Sequence, residues 1–186
     1  MSSVSEHDGL KDAAVTAFIC ANCARGPIPP SAVPPRPAVP EFDWPFPVEQ
    51  ILVPCTGTVQ PEHMLKAIET GADLVCVIAC EDENCHRLEG SRRAARRVEY
   101  VGSLLAEAGL GTERVMLTCL PGSSRQDMAL GAGLLEEPVR DRMLDKRVRA
   151  VRGEVIRRLT TLGANPLRQV WAPTAPAQAG ARKVNR

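Results

Sequence analysis

Five of the seven cysteines in this sequence of 186 residues occur where thiolates could bind a metal centre. Three of them end predicted β-strands, one completes a C-x2-C pair, and one lies in the segment CEDENCH. Four thiolates complete a 2Fe-2S or a 4Fe-4S cluster, and cysteine sulfur also binds zinc. Four of the five are expected to serve as ligands of such a cofactor and its metal, and the candidates are Cys20, Cys23, Cys55, Cys80 and Cys85.

The cysteines at the predicted strand ends are expected to converge. In an open parallel sheet, functional groups collect at the carboxyl ends of the strands. Cys20, Cys55 and Cys80 finish three consecutive predicted strands, so they should meet along one edge. Helices that begin just beyond these loops would add N-terminal dipoles and free N–H groups, which stabilise anionic sulfur.

The other thiols and two of the histidines have simpler interpretations. Cys76 lies inside an apolar strand and is predicted to be a small core residue. For Cys119, near the end of a fourth strand, a structural role is favoured over a place beside the metal centre. His86 is expected to donate a hydrogen bond to a sulfur, because four cysteines already suffice as ligands. His63 is expected to be solvated on its helix.

Strand and helix patterns alternate along the chain. Apolar, β-branched runs predict four strands, at Ala14–Cys20, Val48–Cys55, Ala72–Cys80 and Arg114–Leu120. Apolar residues at helical spacing predict helices at Gln60–Thr70, Ser91–Ala108 and Pro138–Leu162. Alternation of this kind indicates right-handed β-α-β crossovers, so the predicted fold class is α/β, a flavodoxin-like parallel sheet flanked by helices.

Three segments are expected to surround this core of residues 15–125. Residues 1–14 form a polar N-terminal segment, and residues 27–47 form a Pro-rich loop with nine prolines, which cannot be helix or central strand. Its aromatic residues suggest that the loop covers an apolar surface, although a loose linker fits equally well. Residues 126–186 contain a C-terminal basic helix and a partner-binding tail; the basic face of the helix is either solvated or docked on an acidic partner.

Composition excludes several function classes. The net charge of +1 gives no general argument for nucleic acid as a partner. No apolar run reaches the roughly 20 residues that span a bilayer, so direct membrane insertion is not expected. The polar N-terminus lacks a signal pattern, which predicts a cytoplasmic protein. In that reducing compartment, clustered thiols bind metal or do redox chemistry more often than they form disulfides.

Four pieces of the sequence together resemble a known family, the delta subunit of methyl-viologen-reducing hydrogenase. The pieces are FICANC at Phe18–Cys23, CTGTVQPEHMLKAIETGAD at Cys55–Asp73, ACEDENCHRLEGSRRAARRV at Ala79–Val98 and TERV at Thr112–Val115. The order of a cysteine pair, C-[ST]-G, a helix, GAD, a strand, C-x4-C-H, glycine and a basic helix is specific as a set.

The resemblance implies a small α/β subunit with a 2Fe-2S cluster, a 4Fe-4S cluster being the less favoured type. Such a subunit relays electrons between a hydrogenase or other oxidoreductase and a flavin-containing heterodisulfide-reductase-like subunit in an electron-bifurcating complex. All five candidate cysteines match the family motif, and the one spared as a ligand is expected to be Cys23 or Cys85. Because no phosphate-binding glycine loop or catalytic triad is visible, a non-catalytic electron-transfer subunit of an oxidoreductase complex is expected.

Two features depart from the family pattern, and two other functions stay open. The Pro-rich loop replaces a glycine-containing stretch with a basic residue, and the basic helix and tail lie outside the shared core. The parent complex is thus open between a hydrogenase and another bifurcating assembly, such as one resembling multi-subunit benzoyl-CoA reductases. The alternatives are a zinc-stabilised docking module, although structural zinc sites typically have two C-x2-C pairs, and a thiol-disulfide redox protein, which would not need cysteines at other strand ends.

Overall fold

Within the described residues, four parallel strands form one sheet. The computed structural model describes residues 10, 12–21, 44–85, 87–120 and 137–169. The strands are β1 (Val15–Cys20), β2 (Val48–Val53), β3 (Leu74–Cys80) and β4 (Val115–Leu120). Central β1 pairs in parallel with both β2 and β3, and β3 pairs with β4. This order confirms the predicted α/β, flavodoxin-like fold, in which the chain reverses its direction of winding between β1 and β3.

Helices cover both faces of the sheet. They are α1 (Pro61–Glu69), α2 (Gly90–Glu107) and α3 (Glu137–Thr161). Helices α1 and α2 pack on one face, where Met64, Ile68, Val101 and Leu105 are buried in one hydrophobic cluster. Helix α3 packs on the other face. Burial on both sides explains why every residue of β3 is buried and why the strand is apolar throughout.

The cluster on the α3 face also contains part of the predicted Pro-rich loop. Val151, Val155 and Leu159 of α3 are buried there together with Phe46. The rings of Trp44 and Phe46 lie 5.8 Å apart. These aromatic residues therefore cover an apolar surface, as their type suggested, whereas residues 22–43 lie outside the described part of the chain.

Two predicted strand bounds are wrong in ways that matter for the site. Strand β2 ends at Val53, two residues before Cys55. Pro54 follows at once, and because proline has no N–H it cannot donate to the ladder. Strand β3 begins at Leu74 and not at Ala72. The carboxylate of Asp73, just before it, accepts hydrogen bonds from the N–H groups of Ala14, at 2.9 Å, and Asn165, at 2.7 Å.

Polar side chains form hydrogen bonds at the edge of the sheet where the strands begin. The Asn165 side-chain amide is buried and donates to the carbonyls of Ile68, at 2.8 Å, and Ala72, at 2.7 Å. Arg168 forms an ion pair with Asp73. The segment after α3 is thereby held at the edge where the strands begin, and the opposite edge carries the cysteines.

Candidate metal centre

Two thiols flank the point where the direction of winding reverses. Cys20 ends β1 and Cys80 ends the adjacent strand β3, and their sulfur atoms lie 3.7 Å apart. Both residues are buried, with exposed fractions of 1% and 3%. In a doubly wound sheet this crevice, at the carboxyl ends of neighbouring strands, is where ligands bind.

Cys85 joins this pair from the loop after β3. It follows the short 3-10 helix Asp82–Asn84 and is 3% exposed, in one buried cluster with Cys20 and Cys80. Burial raises the pKa of Cys85, but the Ser91 side chain and the N–H groups of Ser91, Arg87 and Gly90 outweigh it, so that the pKa is lowered overall. The N-terminus of α2 is therefore directed at this sulfur, as expected for a helix that stabilises a thiolate.

Cys55 approaches the same group from the loop after β2. It is 7% exposed, and its pKa is raised by burial, against a hydrogen bond from the N–H of Gly57. The negative charges of Cys20 and Cys85 raise it further, which places the three sulfurs within electrostatic reach of one another. Unpaired thiolates repel, so the pKa of Cys55 would fall if a cation were shared among these sulfurs.

Two glycines permit the close approach of these loops. A Cβ atom on Gly90 would lie 2.4 Å from the Cys55 sulfur and 3.2 Å from the Cys85 sulfur. A Cβ on Gly57 would lie 2.8 Å from the Cα of Gly90. Gly57 lies in the 3-10 turn Thr56–Thr58 without a positive φ, so the absence of its side chain serves this contact with Gly90.

One arginine ties the Cys55 loop to helix α2. The Arg97 guanidinium donates to the carbonyl of Gly57 at 2.6 Å and to that of Val59 at 3.0 Å. Both carbonyls belong to the segment that follows Cys55, and Arg97 belongs to the helix that begins after Cys85. Arg97 thus holds Cys55 in position relative to Cys85.

Four of the five candidate ligands are therefore brought to one edge. The fifth, Cys23, lies outside the described residues, as does His86. In the structure Cys80 takes part in a disulfide, whereas Cys20, Cys55 and Cys85 are free thiols. Binding of a metal at Cys80 requires that this disulfide be reduced.

The remaining cysteines have surroundings typical of structural residues. Cys76 is fully buried inside β3, and burial strongly raises its pKa. Cys119 is paired in register with Ala79, is partly exposed and has a pKa raised by burial. His63 is exposed as predicted, but its Nδ1 also accepts a hydrogen bond of 3.0 Å from the Gln60 N–H in a capping box, a role that sequence reasoning missed.

The donor set suits a metal group with sulfur ligands. With metal–sulfur bonds of about 2.3 Å, tetrahedral geometry separates two sulfurs by about 3.8 Å, which matches Cys20 and Cys80. In the described part of the chain, no set of three or more His, Cys, Asp or Glu side chains surrounds a single metal ion. At the same edge the Ser91 Oγ atom is buried and has no hydrogen-bond partner among the described residues, so a polar group is available there for a group held by these sulfurs.

Sequence reasoning did not identify the supporting residues Gly57, Gly90, Ser91 and Arg97. The two glycines were present in the motifs C-[ST]-G and G followed by a basic helix, but their contact joins segments 33 positions apart. Ser91 and Arg97 resemble ordinary polar residues at the start and on the surface of an amphipathic helix.

Comparison with known proteins bears on this group of cysteines. Residues 15–137 match the family described as methyl-viologen-reducing hydrogenase, delta subunit. An iron-sulfur subunit of the F420-non-reducing hydrogenase of Archaeoglobus profundus is 40% identical over 82 residues, which are 44% of this chain and 60% of that protein. The vhu iron-sulfur subunit of the F420-non-reducing hydrogenase of Methanococcus voltae is 28% identical over 155 residues, 83% of this chain and 96% of that protein.

A relative of another kind contains a similar segment within a larger protein. It belongs to the ferredoxin:CoB-CoM heterodisulfide reductase of Methanosarcina mazei and is 31% identical over 72 residues, which are 39% of this chain and only 9% of that protein. The described helices include none that is long and apolar enough to cross a membrane.

Proposed function

Because this chain belongs to the family of the methyl-viologen-reducing hydrogenase delta subunit, we propose that it is an iron-sulfur subunit that relays electrons within a larger redox complex. The observation that carries the proposal is the buried cluster of Cys20, Cys80 and Cys85, with the sulfur of Cys55 beside it. Buried thiols at the carboxyl edge of a parallel sheet are suited to hold an inorganic group, and iron-sulfur relatives support that choice.

The ligands in this proposal are Cys20, Cys55, Cys80 and Cys85, and Cys23 is the cysteine spared. The sequence left Cys85 open as the spared cysteine because it follows a loop. Its burial and the N–H groups directed at its sulfur favour it instead as a ligand. These thiolates would hold the cluster, which would supply one-electron transfer, and the apolar residues around them would restrict the access of water.

The arrangement favours a 2Fe-2S cluster over a 4Fe-4S cluster. Each iron of a 2Fe-2S cluster takes two thiolates, whereas each iron of a 4Fe-4S cluster takes one. Cys20 and Cys80 form one pair at 3.7 Å. Cys55 and Cys85, whose sulfurs both lie next to Gly90, would supply a second pair, so that two pairs of ligands would be available for two irons.

The proposed electron partner is a flavin-containing heterodisulfide-reductase-like subunit. The observation in favour is that a protein of a heterodisulfide reductase contains a segment similar to this chain. That similarity supports contact between this chain and a separate subunit of the same kind. The second partner, a hydrogenase or another oxidoreductase, and an electron-bifurcating parent complex are proposed from the family alone, with a cytoplasmic location.

Metal analysis of protein purified without oxygen, with a thiol reductant, tests the proposal. We expect iron and acid-labile sulfide in equal amounts, close to two of each per chain. Zinc alone would support a docking module, and neither metal nor sulfide would support a thiol-disulfide protein. Four iron atoms per chain would indicate a 4Fe-4S cluster in place of a 2Fe-2S cluster and would leave the proposed electron-transfer role unchanged.

Cysteine variants test the ligand set. Changing Cys20, Cys55, Cys80 or Cys85 to Ser is expected to abolish the visible absorption of the cluster. Cys76→Ser is the matched control, because that thiol is buried inside β3 and should leave the spectrum intact. A full spectrum in Cys55→Ser would refute the assignment of the ligands.

A further inference from the structure

The segment between β3 and α2, residues 81–89, follows directly on Cys80 and contains Cys85. Within it the Cys85 N–H donates to the Asp82 carbonyl at 3.4 Å, and the Leu88 N–H donates to the Cys85 carbonyl at 2.9 Å. Leu88 has a φ of 61°, which is uncommon for a residue with a bulky side chain and persists only where surrounding contacts hold it. The position of Cys85 therefore depends on contacts that fix this segment against its neighbours.

One ion pair joins the two sides of this segment across Cys85. The Nε–H of Arg92 donates to the Asp82 carboxylate at 2.6 Å. Asp82 begins the 3-10 helix that precedes Cys85, and Arg92 is the third residue of α2. The side chains of Arg92 and Asp82 are 63% and 43% exposed, so water and salt can reach the pair. The pair connects the chain before Cys85 to the helix that begins after it.

A neighbouring ion pair has the same chemistry but does not cross the segment. Arg93 donates to the Glu89 carboxylate at 2.8 Å, and these side chains are 61% and 63% exposed. Both residues lie after Cys85, one helical turn apart at the start of α2. Loss of either pair would remove an exposed interaction of similar strength. Of the two pairs, that of Arg92 with Asp82 alone reaches the chain that precedes Cys85.

We propose that the ion pair of Arg92 with Asp82 keeps Cys85 at the metal centre and thereby slows the release of the cluster. The inference rests on the proposed function, and the two residues are positioning residues that act through Cys85. Without the pair, the chain on one side of Cys85 is free to move away from α2, and the thiolate can leave the centre with it. Because the pair is exposed, salt weakens it, so the retention of the cluster should depend on ionic strength.

Four variants test this role. Arg92→Gln and Asp82→Asn each remove one charge of the pair, and Arg92→Lys retains the positive charge. Arg93→Gln is the matched control, because it removes the neighbouring pair of equal exposure. Each protein is purified without oxygen with its cluster bound and mixed with an excess of an iron chelator. The decay of the visible absorption then gives the rate of cluster loss, at low salt and in about 1 M salt, where the Debye length is about 3 Å.

The expected result separates the two variants without the pair from the other proteins. At low salt Arg92→Gln and Asp82→Asn should lose the cluster up to about fivefold faster than the unaltered protein, which is the range of an exposed ion pair. Arg92→Lys and Arg93→Gln should lose it at close to the unaltered rate. In high salt the unaltered protein should become as fast as Arg92→Gln.

The proposal is overturned if Arg92→Gln and Asp82→Asn lose the cluster at the unaltered rate at low salt, or if Arg93→Gln is accelerated as much as they are. If Arg92→Gln contains no cluster, Arg92→Lys decides: a filled site supports the ion pair, and an empty site shows that the charge is not what is required and overturns it. Failure of the proposed function is distinguishable, because the unaltered protein would then contain no iron and sulfide.

Discussion

Replacing Gly90 with alanine should displace the Cys55 sulfur and empty the metal centre. The new Cβ would lie 2.4 Å from that sulfur and 3.2 Å from the sulfur of Cys85. Ordinary contact requires roughly 3.5 Å, so the Cys55 sulfur must move by about 1 Å. Functional groups of this kind must be held within about 0.5 Å of their working geometry, and we therefore expect loss of most of the cluster.

The stability of the cluster-free protein should fall as well. Overpacking of a buried site costs about 1–3 kcal/mol. Alanine gains up to about 1 kcal/mol over glycine in a helix, which partly offsets that cost. The net expectation for Gly90→Ala is a decrease of about 1–2 kcal/mol in the free energy of unfolding.

The same helix offers a matched control in Gly102. A Cβ there would meet its nearest neighbours at 3.7 Å and 3.8 Å, which are ordinary contacts. Gly102→Ala should therefore keep the cluster and gain up to about 1 kcal/mol of stability.

The assays are urea unfolding of the cluster-free proteins in thiol reductant, and iron, sulfide and visible absorption after anaerobic reconstitution. If Gly90→Ala bound a full cluster and unfolded at the same urea concentration as the unaltered protein, the close approach of the two loops would not be a requirement of the site. Gly57→Ala approaches the same contact from the other loop, with its Cβ 2.8 Å from the Gly90 Cα, and should behave alike.

Three further variants probe the surroundings of the site. Arg97→Gln removes the guanidinium that joins α2 to the loop after Cys55. It should lower the free energy of unfolding in urea by about 2 kcal/mol and lower the cluster content, whereas a full cluster content would show that the loop does not need these hydrogen bonds. Asn165→Ala leaves two buried carbonyls unpaired. It should lower the free energy of unfolding by about 2–4 kcal/mol and leave the visible absorption of the folded protein unchanged, and a changed spectrum would contradict the separation of the two sheet edges. Changing the exposed Arg149 and Arg157 to Glu should weaken co-purification of partner subunits, most strongly at low salt, whereas Lys66→Glu on the opposite face of the sheet should not. Equal co-purification of the two variants would show that the basic face of α3 does not bind a partner.

Much of the fold was predictable because its signals are local. The apolar run that forms β3 is long enough and β-branched enough to identify a buried strand. Pro61 at the first turn of α1 and Gly71, with a φ of 107°, after its end mark that helix within one residue. Alternation of such elements restricts the topology to parallel crossovers, and the family resemblance agrees with it.

The candidate site was predictable only in part. The strand ends at Cys20 and Cys80 follow from the apolar pattern, and their approach follows from the parallel sheet. Cys55 was wrongly expected at a strand end, because β2 stops at Val53 and Pro54 intervenes before the cysteine. Its convergence on the other thiols depends on how its loop packs against α2 and not on the strand.

The amino-acid sequence by itself therefore determined which thiols are available and which edge of the sheet most of them occupy, since residue type and periodicity act over a few neighbours. Only the tertiary structure decided how the loops close around them. The contact of Gly57 with Gly90 and the hydrogen bonds from Arg97 to the loop after Cys55 each join groups that meet only when helix α2 packs on the sheet. Such contacts arise from packing between distant segments, for which no local pattern of residues is specific.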